Sequence, residues 1–180
     1  MGGDISHSEK LAIDVTMLGV VRKKNLVKRS GAKIGDAIFV TGTLGGAVKS
    51  RRHLDFIPRI KEAQVLVKNF TVNSMIDISD SLSSDLNHIL RMSRAGAVIK
   101  EKLLPLSKGA TVTDALTEGE DFELLFTVPK KDAGRLEEKF ERLMRITRIG
   151  EITRHSEGFK LIEESGMVRQ IKPKGYDHFA

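Results

Sequence analysis

The chain has 180 residues, 40% of them hydrophobic and 30% charged. That balance excludes disordered and collagen-like classes and allows roughly 70% of the unfolded surface to be buried. There is no Cys, which removes disulfides, thiol chemistry and Cys-based zinc, and 30 Lys and Arg stand against 24 Asp and Glu, a modest excess that suits phosphate groups without choosing their source. No apolar run reaches roughly 18 residues, and the N-terminal MGGDISHSEK lacks the apolar centre of a signal peptide. The expectation is a soluble cytoplasmic protein that does not enter a membrane. Net charge is all that favours nucleic acid, since no helix-turn-helix or RNA module is evident.

In chain order, LAIDVTMLGVV (11–21) alternates apolar and polar residues and predicts a strand. AIFVTG reads as a short buried strand between Gly-rich turns, after a loop, RSGAKIGD, that marks a unit boundary. A short helix is predicted over 44–52. Pro58 opens the next helix, with Ile60, Ala63, Val67 and Phe70 as its stripe. MIDIS (75–79) is a strand. Residues 81–94 form a helix with Leu82, Leu86, Ile89 and Leu90 inward, closed by Gly96.

AVIKEK is a further strand, and VTDAL (112–116) a short helix. GEDFELLFTVP turns into a strand with Phe122, Leu124 and Phe126 on one face. Residues 130–143 make an amphipathic helix on Ala133, Leu136, Phe140 and Leu143, and ITRIGEI, FKLI and MVRQI are terminal strands. The sum is an α+β fold, a two-layer α/β sandwich of one sheet layer and one helix layer, with the helices on one side of the sheet.

Three clusters hold chemistry-bearing residues. Asp77, Ser79, Asp80 and Asp85 gather at a strand end, where hard oxygen ligands suit Mg²⁺. Ser79, Asp80 or Ser81 equally suits the cap of the following helix; Asp77, inside an apolar strand, is less easily a cap. Glu118, Glu120, Asp121 and Glu123 surround Gly119, either as an exposed turn or as carboxylates that orient a substrate. Gly2, Gly3 and Asp4 offer backbone N–H groups and a carboxylate to a phosphate and a cation, or else are a frayed terminus. There is no P-loop and no GxGxxG.

Taken together, GGDISHS, KRSGAKIGDAIFVTGTLGG, RRHLDFIPR, IDISDSLSSDL, EGEDFELLFTVP and KGYDHFA resemble, in order and over nearly the whole chain, the thiamine-monophosphate kinase family of the aminoimidazole ribonucleotide synthetase-like superfamily. The resemblance implies Mg²⁺-dependent transfer of the ATP γ-phosphate to thiamine monophosphate, with Mg²⁺ and ATP as cofactors. It places Gly3, Asp4, Arg29 and Ser79 at the nucleotide, and Asp4, Asp77 and Asp80 at the metal, the latter two as the catalytic acids. Glu120 is implied as a substrate contact, with Asp121 as the alternative, and Tyr176 lies against the thiazolium, for which an aromatic face is suited.

The sequence departs from the family at Ser81, where glycine is usual, at Glu118, where a second glycine is common, and in the shortened TGTLGGAVKS. The resemblance makes residues 1–28 the final strand of an incomplete N-terminal ATP-binding domain and 29–180 a C-terminal α+β domain. The partner expected is a second copy or a separate N-terminal half. The competing reading is a non-catalytic binding or scaffold module, or the C-terminal half of a split kinase.

Overall fold

A computed structural model describes residues 15–140 and 144–175. Among these residues, seven strands form one sheet: β1 (Ala37–Thr41), β2 (Ser74–Asp77), β3 (Ala95–Lys100), β4 (Leu124–Val128), β5 (Ile146–Arg154), β6 (Phe159–Ile162) and β7 (Val168–Gln170). Their order is β2-β4-β1-β5-β3-β6-β7. Every pairing is antiparallel except β3 with β6. Among the described residues, four α-helices complete the unit: α1 (Ile60–Asn69), α2 (Leu82–Ser93), α3 (Val112–Thr117) and α4 (Lys130–Phe140).

Alternation along β1 and β4 assigns the two faces. Ala37 and Phe39 of β1, with Phe126 and Val128 of β4, pack against Leu66 and Phe70 of the α1 segment and Ala133, Leu136 and Phe140 of α4. Phe39 and Phe126 are register partners and stack with ring centroids 5.6 Å apart. The intervening Ile38, Val40 and Leu125 join Ile76, α2 (Leu82, Leu86, Ile89, Leu90) and α3 (Ala115, Leu116) in a second core. The sheet-and-helix architecture is thus as expected, but the helices divide between both faces rather than covering one. The reason is β1, which is buried at every position and needs cover on each side.

Other expectations are corrected. Residues 15–22 belong to no strand and are exposed, while residues 11–14 of the predicted strand lie outside the described set. The helix predicted over 44–52 is a turn followed by a 3-10 turn at Arg52–Leu54. The buried face of α1 turns on Leu66 and Phe70, and Ile60 is exposed. Helix α2 closes on Arg94 in the left-handed region. Gly96 sits instead inside β3, where a Cβ would strike the carbonyl oxygens of Arg154 and Gly158. Leu143 lies outside the described residues. Among those described, no helix is long and apolar enough to cross a membrane.

Short α3 depends on its start. The Thr111 hydroxyl accepts the Asp114 N–H, and the Asp114 carboxylate accepts the Thr111 N–H. Replacing Thr111 with Ala is expected to cost about 1 kcal/mol, read as a lower urea midpoint with an unchanged slope.

Candidate functional site

The site lies where β1 and β2 end and β4 begins. Asp77 is the last residue of β2 and is exposed. Pairing continues one residue further, through the Ile78 N–H to the Glu123 carbonyl. The chain then turns sharply into α2, and Asp85, 1% exposed, shapes that turn. Its Oδ2 accepts the backbone N–H groups of Ser79, Asp80 and Ser81 at 3.1, 3.0 and 3.1 Å. Burial pushes the Asp85 carboxyl above its usual range, while the Ser81 and Asp80 N–H groups pull it back.

The cap of α2 is Ser81, whose hydroxyl accepts the Ser84 N–H at 3.1 Å. Asp80 is therefore not used as the cap. Among the described residues, its carboxylate accepts one weak hydrogen bond, from the Ser79 hydroxyl at 3.5 Å. Among the described residues, neither Asp77 nor Asp80 joins an ion pair. Asp80, Asp85 and His88 each bring a ligand atom within 4.8 Å of the others. The Asp85 oxygen shared by three N–H groups is committed to the turn.

The acidic turn after α3 docks on this loop. The Glu120 N–H donates to the Ser79 carbonyl at 2.7 Å, and the Phe122 N–H to the Ile78 carbonyl at 2.8 Å. Glu120 and Ser79, far apart in sequence, are thus brought together. Glu120 is exposed, with His53 Nε2 3.7 Å from its carboxylate. Gly119 permits the approach, because a Cβ there would meet the Ser79 and Asp80 carbonyl oxygens. Replacing Gly119 with Ala is expected to destabilise the fold by about 2 kcal/mol, since rigid backbone rather than a flexible side chain stands in the way. Thermal unfolding of the variant checks it.

Asp121, the alternative substrate contact, is placed differently. It is 3% exposed, accepts the Gly45 N–H at 2.9 and 3.0 Å, and pairs with Arg52 Nη2 at 2.6 Å. Desolvation raises its carboxyl to about 6, opposed by Gly45 and Arg52. Its acceptor atoms are thus turned inward and engaged by the protein. Phe122 lies outside β4 with φ 50°, stacked on Phe56 at 4.2 Å, rather than in the strand.

Arg29 is exposed, and its carbonyl accepts the Ser93 hydroxyl at 3.4 Å. Ser93 ends α2, whereas Asp80 precedes its first turn, a helix length of roughly 18 Å away. The structure therefore does not bring the Arg29 backbone to the Asp80 turn. Gly3, Asp4 and Tyr176 lie outside the described residues. The Lys174 carbonyl, two residues before Tyr176, accepts the Ser81 and Ser83 hydroxyls at 2.7 and 3.0 Å. A Cβ on Gly175 would lie 3.1 Å from the Asp80 carbonyl oxygen. The terminal segment as far as Gly175 thus docks on the same loop.

Sequence reasoning misses the pairing of two buried carboxylates with half-buried arginines, Arg52–Asp121 and Arg59–Glu123. The available signal is two acids, Asp121 and Glu123, spaced by two beside an apolar strand, with RRHLDFIPR supplying the arginines.

The chain spans 63% of the length of the thiamine-monophosphate kinase of Buchnera aphidicola (subsp. Acyrthosiphon pisum), to which it is 36% identical over 99% of its own residues. It is similar in structure to the thiamine-monophosphate kinase of Stenotrophomonas maltophilia, with TM-score 0.69 and 26% identity, covering 78% of this chain and 54% of that one. The structure of AaThiL complexed with AMPPCP and TMP aligns with TM-score 0.64 and 30% identity, covering 85% and 54%. The model of the AIR synthase related protein C-terminal domain matches residues 33–162, most of the chain, and the chain accordingly belongs to the AIR synthase related protein family.

Proposed function

We propose that the chain carries the thiamine-phosphate and metal–phosphate face of a cytoplasmic kinase that moves the γ-phosphate of ATP onto the phosphate of thiamine monophosphate, giving ADP and thiamine diphosphate. The observation that carries this reading is the Asp77–Asp80 segment. It is clamped from inside by Asp85 and from above by the Glu120 turn, and it presents Asp77 and Asp80 without cationic partners among the described residues. The similarity to thiamine-monophosphate kinases supports the substrate class.

The donor set fits Mg²⁺. Asp77 closes β2, Asp80 in the following turn is released from capping by Ser81, and although the His88 imidazole lies within 4.8 Å of Asp80, the chain has no Cys thiolate to favour a softer metal. Asp77 and Asp80 would hold the ion, which when bound neutralises phosphate oxygens and orients them for in-line displacement. The protein's own part is positioning. The committed backbone of Ser79 fixes its hydroxyl beside the phosphates. Glu120 offers a carboxylate to the cationic thiazolium, and Tyr176, following the docked Gly175, supplies a ring face to it. Gly3, Asp4 and Arg29 are assigned to the nucleotide, Asp4 also to the metal. Residues 1–28 belong to the nucleotide-binding unit and 29–180 to the C-terminal domain.

A phosphotransfer assay with thiamine monophosphate and Mg-ATP, on the chain alone and mixed with an N-terminal half from a relative, tests the reading. Thiamine diphosphate formed in either case supports it. Inactivity in both, with no binding of thiamine monophosphate, leaves the non-catalytic scaffold.

A further inference from the structure

The turn that seats the Ser79–Asp80 loop is not self-supporting. Glu120 and Phe122 have φ of 62° and 50°, a region that side-chain-bearing residues leave unless their surroundings hold them there. Interleaved with them are the buried carboxylates of Asp121 and Glu123. Each is held by one arginine from the segment between β1 and α1.

Arg52 bridges several segments at once. Its Nη2 meets Asp121, and its Nη1 donates to Thr43 Oγ1 at 2.8 Å and Ser107 Oγ at 2.7 Å. The residue before it, Arg51, is itself left-handed at φ 61°. Arg59 forms a fork on Glu123, Nε to Oε2 and Nη2 to Oε1, both at 2.7 Å. The Thr41 hydroxyl donates to the same carboxylate. Among the described residues, neither guanidinium is hydrogen-bonded to Asp77 or Asp80.

We propose that Arg52 and Arg59 are positioning residues of the phosphate-transfer site: by holding Asp121 and Glu123 they fix the left-handed Glu120–Phe122 backbone, and that backbone fixes where Ser79 and Asp80 stand. The inference rests on the kinase reading above. Each link is a direct contact: guanidinium to carboxylate, then the turn's N–H groups to the Ser79 and Ile78 carbonyls. A lysine cannot replace either arginine, because a single ammonium neither forms the fork on Glu123 nor spans Thr43, Ser107 and Asp121 together.

The test uses the full chain with Arg52→Gln, Arg59→Gln and the two Lys variants. Residue-resolved amide exchange is followed beside titration with thiamine monophosphate and Mg²⁺. Expected are amides of Glu120 and Phe122 exchanging about 10-fold faster, amides of β1 and β4 keeping their protection, and thiamine monophosphate bound about 10-fold more weakly. The Lys variants should resemble the Gln variants, and should a Gln variant not fold, its Lys counterpart carries the measurement. Methylguanidinium added to Arg52→Ala should restore protection of the turn. Unchanged exchange at Glu120 and Phe122, or faster exchange throughout the sheet, overturns the proposal. So does a loosened turn with undiminished ligand affinity. A wild-type chain that binds no thiamine monophosphate, either alone or mixed with the N-terminal half of a relative, overturns the kinase reading instead, while exchange still decides the clamp.

Discussion

Asn at position 80, or separately at 77, is expected to weaken Mg²⁺-nucleotide binding by about 100-fold while changing stability by less than about 1 kcal/mol. Asn keeps the size of the side chain and removes the charge that a hard cation needs. The fold has little stake in either carboxylate: Asp77 is exposed, and among the described residues the Asp80 carboxylate accepts only the 3.5 Å hydrogen bond from the Ser79 hydroxyl. Asp85, five residues on, should behave in the opposite sense. Replacing it with Ala strands three backbone N–H groups at the turn and is expected to cost about 3 kcal/mol. Calorimetric titration with Mg²⁺ and a non-hydrolysable ATP analogue, beside urea unfolding, separates the roles. Unchanged binding in Asp77→Asn and Asp80→Asn would sink the metal assignment. A large loss of stability in Asp80→Asn would make that residue a structural one.

Periodicity exposes most of the fold and hides a specific part of it. The stripes of α2 and α4 are readable because each faces one core, with a largely polar outer side on α2 and a charged one on α4. Strand β1 is readable as buried, but five consecutive buried residues carry no face label, so the division of helices between two faces is invisible. The alternation of 11–21 has a strand's form, yet pairing is a property of neighbours, and residues 15–22 have no ladder. Gly96 illustrates a related ambiguity. Position alone makes a glycine after a helix a terminator, whereas here it admits the Arg154 and Gly158 carbonyls to β3.

At the site, residue type and spacing single out the acids but not their division of labour. Asp77, Asp80, Glu120 and Asp121 look alike on the page. Burial and partners separate them: Asp121 turns inward to Gly45 and Arg52, and Glu120, its neighbour, turns outward beside His53. The arginines that decide this come from roughly 60 to 70 residues earlier in the chain, a separation that local pattern does not reach.

Asp121→Asn is expected to remove a pH dependence of stability. The Asp121 carboxyl titrates at about 6 in the folded chain, against an ordinary value of 3.8, mainly because it is desolvated. Glu123 adds to the rise, and Gly45 and Arg52 oppose it. Between those values the folded state holds the proton more tightly than the unfolded chain. The stabilising contribution is therefore fully present below the unfolded pKa and lost as pH rises through about 6, an amount of about 3 kcal/mol. Urea unfolding from about pH 4 to about pH 7.5 reads it as the difference between wild type and Asp121→Asn, in which other acids, Asp85 included, cancel. A difference that stays flat across this window would refute it. Ligand binding should move the other way. The grip on Arg52 and the Gly45 N–H needs the ionised carboxylate, so affinity for thiamine monophosphate should fall as pH drops through about 6 while stability rises. Opposed trends are what a positioning carboxylate produces, since the form that aligns the site is the form the fold pays to bury. Affinity and stability rising together on acidification would assign Asp121 to the fold alone.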